Sequence, residues 1–134
     1  MSAVDPGTLA GMMPFARLVG VELASASKDE VVGTLTWSED LCTTFGVMHG
    51  GALMAFADSV AAYCAVLNLP EGAGTTTIES KTNFLRAVRS GKVTATSRPL
   101  HAGRTVIVVD TELRDEEGRL VARTTQTQAV LAAR

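Results

Sequence analysis

The stretch from Gly51 to Leu69, GALMAFADSVAAYCAVLNL, constrains the fold more than any other part of the chain. Leu53, Met54, Ala57, Val60, Ala61, Cys64 and Leu67 recur at spacings of three and four, which is one face of a helix, and the opposite face is apolar as well. A helix apolar on all sides is a buried helix, so the rest of the chain must wrap it. It approaches membrane-spanning length, but it is Ala-rich, carries Asp58 near its centre and precedes a long β-type segment, which together point to a core helix. Pro70 and the following EGAG end it.

The wrapping material lies on both sides in sequence. After Gly74 come TTTIESKTNFLR, KVTATSRPLHA, RTVIVVDTELRD and RLVARTTQTQAVL, separated by Gly-bearing turn signals, and these predict a four-strand meander. In the first of them Thr77, Glu79, Lys81 and Asn83 alternate against Ile78, Thr82 and Phe84, so one face is polar. Pro99 marks a local edge or bulge. From Val21 to Trp37 two extended pieces flank the polar SASKDE, a strand or a hairpin, and Gly7 to Arg17 reads as a short helix cut by Pro14. The 134 residues amount to one α+β domain. Its expected parts are an N-terminal helical segment over 1–20, a central helix over 50–69 and a meander over 75–131, in the order β-α-β-β-β-β.

Several function classes drop out on composition. A formal net charge of −2 with scattered Lys and Arg does not suit a nucleic-acid partner. The first twenty residues lack the cationic and apolar regions of a signal peptide, which predicts a cytoplasmic protein without a membrane partner. Cys42 and Cys64 form neither a metal pattern nor a disulfide framework and read as packing residues. Two histidines, His49 and His101, are too few for most zinc sites, so no metal is expected. No Gly-x-Ser-x-Gly, Ser-His-Asp or phosphate-loop pattern is present.

Two features carry chemistry. Asp58 sits roughly 40° outside the main apolar stripe at about 100° per residue, so it can look along an interface. A carboxylate there either reacts, or caps backbone, or pairs with an Arg from the sheet, because an unpaired buried charge is costly. The second feature is GVMHGG, where Gly50 and Gly51 open the helix. Its first N–H groups could stabilise a developing oxyanion, or this is an ordinary glycine-rich helix start supported by His49. At a rise of about 1.5 Å per residue, Gly50 and Asp58 stand about 12 Å apart, too far to act on one carbonyl from one chain. If both serve one reaction, they come from two subunits of a homodimer.

HGG at 49–51, Asp58 nine residues after His49, the long apolar helix, TNFLRAVRSGKV and HAGRT together resemble the hotdog-fold acyl-CoA thioesterases, specifically the PaaI-like, phenylacetate-degradation-type subfamily. The likeness runs from about Val21 to Leu131. It implies an antiparallel sheet curled round one long helix, a dimer or dimer of dimers with sites between subunits, an acyl-CoA substrate, and no cofactor. It further implies Asp58 as general base or nucleophile on the thioester, with the Gly50 amide polarising the carbonyl from the other subunit. A polar side chain six residues before the histidine assists in that subfamily; it is typically Asn, and here Thr43 stands there, with Thr44 beside it. Thr77 falls where a hydroxyl orients water or the carboxylate. His49 and Gly51 belong to the loop that receives substrate, and Phe84 either lines the pantetheine channel or packs as an ordinary strand residue. His101 and Arg104 match a basic turn that meets the CoA phosphates, with Arg86, Arg89 and Lys92 as further candidates or as plain surface charge. Aryl and medium-chain acyl groups both stay open. Hydration of enoyl thioesters ordinarily wants a His and Asp pair, whereas His49 belongs to the glycine turn. The alternative is a non-catalytic acyl-CoA-binding or sensor protein that retains the pocket; a sensor normally brings a DNA-binding extension, which is not expected here.

Overall fold

The computed structural model describes residues 5–133. Helix α1 (Pro6–Ala10) starts where the Asp5 carboxylate accepts from the Thr8 amide at 2.8 Å, and helix α2 (Pro14–Val19) starts at Pro14 itself. Pro14 thus opens a second helix and does not cut the first, which already ends at Ala10 with Gly11 as its cap, since proline at the first helical position forfeits only an N–H that has no partner. Gly20, at φ 100°, takes the left-handed turn that stops α2. Two strands follow, β1 (Glu22–Ala26) and β2 (Val31–Thr36), paired antiparallel as a hairpin. The order is therefore β-β-α-β-β-β-β, with one strand more than the expected β-α-β-β-β-β.

Short 3₁₀ turns at Glu39–Leu41 and Thr44–Gly46 lead into the central helix α3 (Gly50–Val66). Its end falls three residues before the expected residue 69. Asn68 explains this: its side-chain amide donates to the Cys64 carbonyl at 2.9 Å and to Lys28 O at 2.8 Å, which draws the chain off the helix axis and onto the first hairpin.

Strands β3 (Gly74–Phe84), β4 (Lys92–Ala102), β5 (Val106–Arg114) and β6 (Leu120–Leu131) complete one sheet in the order β1-β2-β4-β5-β6-β3. Only β4-β5-β6 is a meander. β3 lies at the far edge beside β6, because the AVRSG segment is a crossover loop and not a hairpin turn. Its carbonyls bond elsewhere: Met48 N–H donates to Val88 O and Trp37 N–H to Gly91 O, while just before it Leu85 N–H donates to Val121 O, each at 2.8 Å. Pro99 behaves as expected on both counts. A bulge falls between Pro99 and His101, and the β2 pairing of this strand stops at Ser97, so Pro99 needs no hydrogen-bond partner on that side.

All of β2 to β6 reach α3. Five strands at about 4.8 Å spacing are wider than a helix of about 10–12 Å, so the sheet can touch α3 along its whole breadth only by curling round it. This is the hotdog arrangement. The core between the layers is made of Leu35, Val93, Ile107, Val109, Leu113 and Val121 from the sheet against Phe56, Val60 and Cys64 from the helix. At Gly33 the layers come close, for a Cβ there would stand 2.9 Å from Val60 and 3.2 Å from the Glu22 carbonyl.

Wrapping is incomplete on one side. Gly51, Met54 and Asp58 are exposed and Ala55 and Ala62 half-buried, so a stripe along α3 stays open in the single chain. Met54, expected on the packed face, lies on this stripe.

β3 departs from simple alternation. Its pairing with β6 shifts between Thr77 and Glu79, leaving Ile78 as an extra, bulged residue. Thr77 is therefore not on the face of Glu79, Lys81 and Asn83. It faces inward with Ser80 and Thr82, opposite Gln128, Gln126 and Thr124 of β6, while Glu79 bonds Thr127 and Lys81 bonds Asn83 on the outer face.

Candidate active site

The start of α3 is held by His49. Its Nδ1 accepts from the Gly51 N–H at 2.7 Å, its backbone N–H donates to Leu41 O at 2.8 Å, and its carbonyl accepts from Ala52 and Leu53. Nδ1 in this geometry is the unprotonated ring nitrogen, and the ring supports the loop, as the sequence suggested. A Cβ on Gly51 would come within 2.9 Å of that Nδ1, so glycine is what lets the ring fold back over the backbone.

From His49 to Leu53, every backbone N–H except that of Gly50 has an acceptor in the chain. The Gly50 N–H donates to no protein group among the described residues. Gly50 lines a hollow together with Thr43, Val47, Leu53, Phe84 and Arg86. The Phe84 ring lies against Gly50, where a Cβ would stand 3.3 Å from its Cζ. A helix N-terminus with one uncommitted donor is suited to an oxygen acquiring negative charge.

Asp58 lies two turns further along the open stripe of α3, in a different hollow shared with Phe15, Met54, Ala55, Thr77 and Ser80. Its Oδ1 accepts from the Gln126 side-chain amide at 2.8 Å. Neither an Arg nor a backbone cap meets it: no salt bridge of the described residues includes Asp58. Gln126 continues to Gln128, and Gln128 to Thr77 and Thr75.

The fold therefore sorts the expected site residues into separate places. Gly50, Thr43, Phe84 and Arg86 share one hollow, and Asp58 and Thr77 share another. His49 and Gly51 face a third, bounded by Phe15, Leu41, Cys42 and Ala55. Arg89 donates to Phe45 O at 3.4 Å and lines a charged cleft with Asp115, Glu116 and Arg119, which adjoins the Gly50 hollow through Arg86, Ala87 and Val88 and does not include Asp58. His101 and Arg104 sit exposed about the turn between β4 and β5, and Lys92 opens β4; none of the three lines the hollows of Gly50 or Asp58. Cys64 is buried in the core, where loss of solvent, aided by the Asp29 charge, pushes its thiol up to about 12, so it packs and does not react. Among the described residues no cluster of His, Cys, Asp and Glu is arranged to hold a metal ion, and no helix is long and apolar enough to cross a membrane.

Gln126 and Gln128 are the residues that sequence reasoning missed. The signal was present in TTQTQ, where strand alternation places Thr124, Gln126 and Gln128 on one face. That face is the buried one, an unusual place for consecutive amides.

A family model described as the Thioesterase superfamily matches residues 45–122, more than half of the chain, from Phe45 through α3 and β3 to Ala122 in β6. The chain belongs to the Thioesterase superfamily. Among members of similar sequence, a Haemophilus influenzae protein carrying an esterase name is 33% identical over 113 residues, which is 84% of this chain and 82% of that one. The crystal structure of thioesterase HI1161 from Haemophilus influenzae matches with a TM-score of 0.91 and 29% identity, covering 97% of this chain and 92% of that chain. The Escherichia coli PaaI protein, from the phenylacetic acid degradation operon, shares the fold, with a TM-score of 0.85 at 22% identity over 95% of this chain and 91% of its own. Gly50, Asp58 and Thr77 all fall inside the segment that defines the superfamily in this chain, whereas Gln126 and Gln128 lie beyond it.

Proposed function

We propose that this protein hydrolyses acyl-CoA thioesters to the free acid and CoA. The observation that carries the reading is the Gly50 amide, the one uncommitted donor in its turn, at the N-terminus of a helix and on a residue that lines a hollow. A thioester carbonyl seated there would have its developing negative charge met by an N–H and a helix dipole. Thr43 borders the same hollow, which supports assigning its hydroxyl the carbonyl-polarising role that Asn fills in similar proteins. Arg86 borders it too and is the basic residue best placed for the CoA phosphates.

Asp58 supplies the second half of the chemistry, either taking a proton from water as its oxygen adds to the carbonyl carbon or adding to that carbon itself. The carbonyl re-forms as the carbon–sulfur bond breaks, and CoA leaves as the thiolate; on the second route the mixed anhydride then formed with Asp58 is hydrolysed by water, which releases the acid and restores the carboxylate. Gly50 and Asp58 open on different hollows of one chain, so a complete site takes Gly50 from one subunit and Asp58 from another. Two features support a homodimer: the open stripe of α3, and β3, an eleven-residue edge strand whose outer side is unpaired in the single chain. The scheme draws on protein groups and water alone.

The test is CoA release from a panel of aryl- and fatty-acyl-CoA thioesters by the wild type and by Asp58→Asn. The expected loss is about 10²- to 10⁴-fold in kcat with substrate binding retained. Tight acyl-CoA binding with no turnover by the wild type on any thioester would make the protein a binding module and sink the hydrolase reading.

A further inference from the structure

We infer that Gln126 and Gln128 are positioning residues, a buried amide relay that fixes the direction of hydrogen bonding between Asp58 and Thr77 and leaves the Thr77 oxygen as an acceptor for the reacting water. The inference rests on Asp58 being the reactive carboxylate and deepens that reading.

The two amides are buried to 0% and 1% exposure on the helix-facing side of β6, where packing alone favours an apolar side chain. Their bonds have only one consistent polarity. An ionised Asp58 can only accept, so Gln126 must present its NH₂ to Oδ1, at 2.8 Å. The second hydrogen of that NH₂ goes to Gln128 at 2.7 Å, so the Gln128 atom there must be its oxygen. The Gln128 nitrogen then donates to Thr75 Oγ1 at 3.1 Å, and the Thr75 hydroxyl donates to Ala129 O at 2.8 Å. The Thr77 hydroxyl, 2.6 Å from the same Gln128 oxygen, must donate to it. Having spent its single proton, Thr77 faces the hollow only as an acceptor.

A water held between Asp58 and Thr77 must therefore donate both hydrogens to the protein. One goes to Asp58, the group that removes it, and the other to Thr77, which leaves a lone pair of the oxygen for the carbonyl carbon. The polarity begins at the charge of Asp58 and is carried by two amides that never meet substrate.

One atom argues against packing as the reason for this arrangement. Gln126 Oε1 is the single buried side-chain oxygen or nitrogen among the described residues that lacks a partner. An orphaned buried carbonyl weakens the folded state, and a methionine would relieve it. Gln126 is kept for its NH₂.

The experiment uses Gln126→Met and Gln128→Met, each in the wild-type and Asp58→Asn backgrounds. Readouts are kcat and KM per folded protein on a thioester that the wild type turns over, the melting temperature, and side-chain amide NMR spectra. Gln126→Met is expected to lower kcat about ten- to a hundredfold, as loss of positioning does. KM should hold within about twofold and the melting temperature should stay level or rise. In the Asp58→Asn background the same change should lower kcat less than about twofold further, because residues acting as one unit are not additive. A wild-type kcat in Gln126→Met, or an equal fractional loss in both backgrounds, overturns the relay while leaving Asp58 catalysis intact. The NMR arm needs no turnover: both Gln126 and Gln128 amide resonances should move on Asp58→Asn, and an unmoved Gln128 overturns the relay even if no thioester is hydrolysed.

Discussion

Gly50 can lose its donor without losing its helix. Proline at the first helical position forfeits only the N–H in question, and His49, at φ −63° and ψ 135°, already has the extended backbone that precedes a proline. The added ring atoms press on Phe84, which must yield by a few tenths of an ångström. Gly50→Pro should therefore lower kcat by about 10²- to 10³-fold, the usual worth of one oxyanion donor, while circular dichroism shows the helix content unchanged. Full activity in that variant would take the amide out of the chemistry. At this scale the sequence was informative where a residue contradicts its neighbours. Asp58 stands out because nothing else in α3 is charged, and the Gly pair because it follows a histidine at a helix start. Gln126 and Gln128 did not stand out, since alternating Thr and Gln is what a solvent-facing strand also looks like, and only the sheet pairing shows that the Gln side is the buried one. Ion pairing of Asp58, an alternative the sequence left open, gives way to a single neutral donor.

Among the elements, α3 was readable from periodicity alone because helical contacts are local. Strand partners are not local. The crossover that takes β3 to the far edge depends on amides of the segment before α3 meeting carbonyls of the AVRSG loop, pairs separated by about forty or more residues that no turn signal encodes. The bulge at Ile78 escaped for the same reason, for it exists only relative to β6. The seating of α3 against β2 has its own check at Gly33, where a methyl group would meet Val60 and the Glu22 carbonyl at 2.9 and 3.2 Å. Gly33→Ala should destabilise by about 1–3 kcal/mol through overpacking, read as a lower urea midpoint at constant m-value. An unchanged midpoint would mean that β1 and α3 shift apart freely there.

For the whole molecule, the property that matters is that Gly50 and Asp58 line different hollows of one chain, which under the proposed function makes each site a shared one. Mixing two inactive variants, Asp58→Asn and Gly50→Pro, and letting subunits exchange should restore activity. Half of the dimers formed from an equal mixture are mixed, and each mixed dimer has one intact site of two, so recovery should reach roughly a quarter of the wild-type rate. A mixture as inactive as its parts would place both groups in the same subunit's site. The bulge also has a consequence for how chains of this shape can change length. Removing one residue from the middle of a strand ordinarily turns every side chain beyond it to the wrong face. Ile78, 60% exposed and opposite no residue of its own, is a spare link: without it Thr77 and Glu79 would simply follow in even step along β6. A one-residue gap at 78 would keep Ser80, Thr82 and Phe84 facing the helix. What it would alter is the stride from Thr77 to Ser80, and with it the shape of the chamber beside Asp58.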